Sequence, residues 1–139
     1  MSYEEKGVWA YVVAALGSFT VYSVVVLRRS AGGPLADAAY VAPMLWTLAV
    51  SLVLSVLVRI VLEAVRPSDS SLADARDKEI TRFGDWIGGY VLAIGAAGVL
   101  ALTLVEADHF WIANALYTAF VLQAVVSSAV KLRAYRVGL

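Results

Sequence analysis

Residues 106–109, Glu-Ala-Asp-His, hold two carboxylates and the only histidine of the chain within four positions. Carboxylate and imidazole are groups that zinc or a harder divalent ion accepts, so Glu106, Asp108 and His109 are the first candidates for metal or proton chemistry. Three ligands so close in sequence seldom surround one ion without help, and there is no second histidine to complete a site. Absence of cysteine removes thiolate catalysis, iron–sulfur clusters and Cys-ligated zinc. No nucleophile–base pair stands out elsewhere, so the expectation is a non-enzymatic protein without a cofactor. The simpler reading of 106–109 is a turn, with Asp108 capping the next helix and Glu106 and His109 in water.

Other polar side chains recur at helical spacing inside apolar surroundings. Tyr11, Ser18 and Tyr22 fall within a narrow stripe of one helix. Thr47, Ser51, Ser55, Arg59 and Glu63 recur at every fourth residue, a ridge that winds slowly around its helix. Arg59 and Glu63 are expected to form an i,i+4 ion pair near the helix end, where the long arginine can reach water. Asn114 and Thr118 share one face of a further helix and Gln123 and Ser127 the opposite one, and an amide in lipid normally bonds to a neighbouring helix. Taken together, Tyr11, Ser18, Tyr22, Thr47, Ser51, Ser55, Arg59, Glu63 and Asn114 are the candidate lining of an intramembrane polar path.

The elements that carry these residues are set by composition. Of 139 residues, 61% are hydrophobic and 16% charged, against roughly 25% charged in soluble domains; mean hydropathy is +0.79. Four long apolar runs, about 8–27, 40–62, 86–105 and 110–130, account for the difference. Each matches the ~20 residues a helix needs to cross about 30 Å of hydrocarbon, and in lipid a lone segment satisfies its backbone only as a helix. The first run follows Glu4 and Glu5 and lacks a cleavage site, so it reads as a retained span rather than a signal peptide. The expected fold is all-α: an integral membrane antiparallel four-helix bundle, one transmembrane domain over 1–139. Nine of the eleven Lys and Arg residues fall on the side of the N-terminus, the loop 63–85 and the C-terminus, counting Arg59 near the end of the second run; only Arg28 and Arg29 fall opposite. The positive-inside rule then puts both termini and the loop 63–85 in the cytoplasm.

Between spans two and three, Ser71 and Asp74 fit a capping box, Asp74–Lys78 and Glu79–Arg82 are favourable charge pairs, and Leu72, Ile80, Phe83 and Ile87 form an apolar edge. This predicts a short amphipathic cytoplasmic helix running into span three, with Asp74, Arg76, Asp77 and Arg82 as a surface for a cytoplasmic protein partner. Span three opens with Gly84 and Gly88 and continues in a ridge of Gly89, Ala93, Ala97 and Ala101. Such ridges let helices approach closely, either within the bundle or as the seam of a homodimer. Acids alternate with the basic residues, so nucleic acid is not an expected partner; the lipid bilayer is.

The stretch 74–90 (DARDKEITRFGDWIGGY) resembles the D-E-R-D-x-x-I signature before the third span in an uncharacterised family of small four-span membrane proteins of bacteria and archaea. Asp74, Arg76, Asp77 and Ile80 match it, and Ala75 stands where glutamate is usual. The resemblance implies topology and no activity. A regulatory or scaffolding role through the cytoplasmic helix is the leading expectation. The alternative is an oligomeric transporter or channel lined by the polar stripes of spans one and two, although span one lacks the embedded glutamate on which small multidrug exporters depend.

Overall fold

The computed structural model describes residues 3–65, 67 and 75–138. Ser71, Leu72 and Asp74 lie outside the described residues, and with them the capping box, the Asp74–Lys78 pair and the first residue of the expected surface. The described residues are helical apart from short connections: α1 (Tyr3–Ser30), a 3₁₀ turn (Leu35–Asp37), α2 (Val41–Val65), α3 (Ala75–Leu104) and α4 (His109–Val137). All four α-helices are long and apolar enough to cross a membrane. The chain is therefore a multi-pass membrane protein by helix length and composition. α3 passes from its charged first turns into its apolar part without interruption, as the sequence predicts.

Each connection has a local cause. Helix α1 stops where Ala31 and Gly32 take left-handed backbone (φ 46° and 83°) and the Gly33 N–H donates to Ser30 O at 2.7 Å. α3 stops at Glu106, also left-handed (φ 55°). There the Ala107 N–H reaches Leu102 O at 3.0 Å and the Glu106 N–H reaches Thr103 O at 3.1 Å. This is a Schellman stop, in which the left-handed position usually falls to glycine.

Packing is uneven. α1 contacts α2 and α4, and α3 packs mainly on α4, so α1 and α4 form the centre while α2 and α3 flank it. A third of the most apolar window is buried in α1 and in α4, 6% in α3, and none in α2. The main cluster joins Tyr22 and Val26 of α1 to Phe110, Tyr117 and Val121 of α4, with Ala38 of the connecting turn closing over it. Its rings meet edge-on or tilted: Phe19–Tyr117 at 5.3 Å, Tyr22–Tyr117 at 5.1 Å and Tyr40–Phe110 at 5.1 Å. Geometry of this kind adds ~0.5–1.5 kcal/mol per pair beyond area burial.

Candidate functional site

The turn 106–109 serves the backbone. Glu106 is the left-handed stop of α3, and Asp108 occupies the N-cap position of α4. Contrary to expectation, the Asp108 side chain makes no capping hydrogen bond. Its carbonyl instead accepts from the N–H groups of Trp111 (2.9 Å) and Ile112 (3.3 Å). Glu106, Asp108 and His109 are exposed. Among the described residues no three His, Asp or Glu side chains come together as a metal would require.

The intramembrane polar residues separate into three places instead of lining one path. Between α1 and α4, the buried Tyr22 hydroxyl donates to Asn114 Oδ1 at 2.6 Å, and Asn114 Nδ2 donates to Phe110 O at 2.8 Å. Between α1 and α2 lies a cleft of about 600 Å³, lined by Ser18, Val21, Val25, Trp46, Thr47 and Val50, with Arg29 at one end. Thr47 there donates to Pro43 O at 2.9 Å and accepts from Tyr117 at 3.3 Å. Ser18 is 5% exposed and its hydroxyl has no partner among the described residues. Ser55 bonds back to Leu52 O at 2.8 Å, Ser51 is half-buried, and Tyr11 faces outward.

The third place joins the start of α1 to the end of α2. The expected Arg59–Glu63 pair gives way to two pairs between helices: Lys6 Nζ to Glu63 Oε2 at 2.9 Å, and Arg59 Nη2 to Glu4 Oε1 at 3.2 Å. Arg59 also lies over the Tyr3 ring, 4.0 Å from its centroid, and passes across Gly7, where a Cβ would stand 3.2 Å from the guanidinium carbon. Lys6 is 2% exposed. Sequence spacing pointed to partners on the same helix, and α1 supplied better ones.

The small residues of α3 divide between two faces. Asp77, Ile80, Gly84 and Gly88 recur at helical spacing and are buried. A Cβ at Gly84 would strike the Lys131 methylenes, and one at Gly88 would stand 2.9 Å from Ser127 Cβ, so both glycines seat α3 on α4. A Cβ at Gly89 would meet nothing within 4 Å, and Ala93, Ala97 and Ala101 are exposed. A polar clasp missed in the sequence secures this seam: Lys131 Nζ donates to Asp85 Oδ1 at 2.6 Å, and Ser127 donates to the same oxygen at 3.2 Å. Asp85 opens one span and Lys131 closes the next across a short turn, which is the signal that could have found it.

At the start of α3, Asp77 is buried, 8% exposed, and turned toward the protein interior. Arg76 reaches back to Tyr135 O at 3.5 Å. The outward face holds Lys78, Glu79, Arg82, Phe83 and Trp86. Glu79, Arg82, Phe83 and Trp86 surround a hollow of about 460 Å³. Phe83 stacks near Trp86 (6.5 Å), and Trp86 meets Tyr90 edge-on at 4.9 Å.

No family model, curated protein or solved structure matches the chain. Function has to be argued from the geometry above.

Proposed function

We propose that this is a non-enzymatic regulatory or scaffolding membrane protein that presents the start of α3 to a cytoplasmic protein. One observation carries the reading. The first turns of α3 bury Asp77 and Ile80 against the protein and leave Lys78 exposed and Glu79, Arg82, Phe83 and Trp86 facing out around a hollow. Mixed charge beside exposed aromatics is the composition of a recognition patch, whereas solvated charge pairs add only ~0.2–0.5 kcal/mol each to a helix. Relative to the sequence reading, the surface moves about one face around: Arg82 stays, while Lys78, Glu79, Phe83 and Trp86 replace Asp77. The resemblance to the small four-span family is consistent with this role and adds no activity to it.

The finer architecture belongs to the same proposal: an antiparallel bundle in a prokaryotic plasma membrane, with both termini and the start of α3 in the cytoplasm. Its support is the nine-to-two distribution of basic residues. Single cysteines at Ser2 and Ala75 are expected to resist an impermeant thiol reagent in intact cells, and those at Ala31 and Ala107 to react. The reverse pattern inverts the orientation. A homodimer through the outward ridge of Gly89, Ala93 and Ala97 completes the picture.

The triple charge reversal Lys78→Glu, Glu79→Lys, Arg82→Glu tests the surface. Exposed substitutions usually change stability by no more than about 0.5 kcal/mol each. The folded variant should therefore persist in the membrane and lose the protein that co-purifies with the unsubstituted chain. Unchanged co-purification would reduce the start of α3 to a linker. A second reading, an oligomeric transporter or channel, is favoured by the unpartnered Ser18 hydroxyl in the α1–α2 cleft. Solute flux in proteoliposomes that disappears in Ser18→Leu would put it first.

A further inference from the structure

Two grooves meet at Trp9 of α1. One, of about 320 Å³, runs between α1 and the last turns of α4 and is lined by Trp9, Arg133 and Arg136 among apolar neighbours. The other, of about 310 Å³, runs between α1 and α2 and is lined by Trp9, Val13, Val58 and Leu62. Arg133 and Arg136 are three residues apart, so they lie on one face of α4 about a turn from each other. Among the described carboxylates, Glu4 pairs with Arg59, Glu63 with Lys6 and Asp85 with Lys131, and Glu5 and Asp77 have partners as well. Neither Arg133 nor Arg136 bonds to a carboxylate among the described residues.

We infer that this double groove binds an anionic phospholipid, with its phosphate on Arg133 and Arg136 and its acyl chains along the apolar walls beside Trp9. The chemistry on both sides matches. Paired guanidiniums donate to phosphate oxygens in a fixed, bidentate geometry that a single lysine does not reproduce. An indole is apolar in body and polar at its N–H, which suits the boundary between headgroup and chain. Val13 and Val58 offer hydrocarbon on the deeper side, and with Leu62 they present no polar group for a soluble phosphate compound to use. Basic pockets between spans bind acidic headgroups on this principle. The site is independent of the surface at the start of α3.

The test places the purified protein in mixed micelles with equal amounts of phosphatidylglycerol and phosphatidylcholine and weighs the retained lipid by native mass spectrometry. Each arginine held against the headgroup in the groove favours acidic lipid by about fivefold, so the pair should give roughly a 30-fold preference. The double variant Arg133→Gln, Arg136→Gln should bring the two lipids to parity, with helicity and elution volume unchanged. Lys78→Gln, Arg82→Gln removes the same charge elsewhere and should keep the preference. Should the arginine variant fail to fold, the native site can be read in a chain whose Trp46, Trp86 and Trp111 are phenylalanine. Brominated acyl chains should then quench Trp9 when carried on phosphatidylglycerol and much less on phosphatidylcholine. The inference is overturned by equal retention of both lipids, by equal loss in the Lys78, Arg82 control, or by quenching that ignores the headgroup. Displacement of the lipid by millimolar inorganic phosphate would make it a soluble-anion site. A change of oligomeric state with lipid retention unaltered would assign the grooves to a second copy of the chain.

Discussion

Replacing Gly88 by isoleucine is expected to cost about 3 kcal/mol, while the same change at the adjacent Gly89 costs less than about 0.5 kcal/mol. The difference lies in what a side chain meets. At Gly88 even a Cβ stands 2.9 Å from Ser127 Cβ and 3.4 Å from the backbone oxygen of Gln123. Backbone cannot rotate aside as a flexible side chain can, so α3 and α4 must separate, and they share the most extensive helix contact in the fold. That separation would also pull Asp85 from Lys131 and Ser127. At Gly89 nothing lies within 4 Å. Unfolding by increasing mole fraction of denaturing detergent in mixed micelles measures both costs, and equal losses at the two positions would sink the assignment of faces. Ala93→Ile extends the test to self-association. It sits on the outward ridge, so it should leave stability nearly unchanged and lower the dimer fraction in lipid. A chain that is monomeric before any substitution would leave the outer ridge to lipid alone.

Glu63→Ala is expected to destabilise the fold by about 2 kcal/mol, and Glu4→Ala by only about 0.5 kcal/mol. Both carboxylates tie α1 to α2, yet their partners differ. Lys6 is 2% exposed, and losing Glu63 strips the bonded carboxylate from an ammonium held away from water. Removing one member of a fully buried pair costs ~3–5 kcal/mol; Glu63 is about a third exposed, which lowers the figure. Arg59 and Glu4 are each about a third exposed, and Arg59 keeps the Tyr3 ring when Glu4 is gone. The double variant Lys6→Met, Glu63→Ala should recover most of the loss, because the penalty arises from a buried charge that has lost its carboxylate. Detergent unfolding of the four proteins forms the cycle. Strictly additive losses at Lys6 and Glu63 would show that the ion pair has no special weight.

The four helices and the asymmetry of basic residues could be read directly from the chain. In lipid an unpaired backbone group costs so much that apolar length alone decides for helix, whatever the neighbours do. The turn at 106–109 was legible for the same reason, since four residues between two long apolar runs leave little choice. The continuity of α3 from its charged turns into its apolar part was also written in its periodicity. Which helices would be central was not. In water the most apolar face turns inward, but lipid removes that drive, and polar contacts and close packing decide instead. α2 has the highest hydropathy, 2.4, and none of its apolar window is buried; α4 has the lowest, 1.5, and a third of its window is buried. Asn114 on one face of α4 and Ser127 on the other join it to α1 and α3. Likewise, spacing suggested Arg59 with Glu63, because a sequence ranks partners by separation along one helix. Only the packing of α1 on α2 could bring Glu4 to Arg59 and Lys6 to Glu63, across 55 and 57 residues. Burial of Asp77 and the division of the glycine–alanine ridge into inner and outer faces had the same origin: α4 chose which side of α3 to cover.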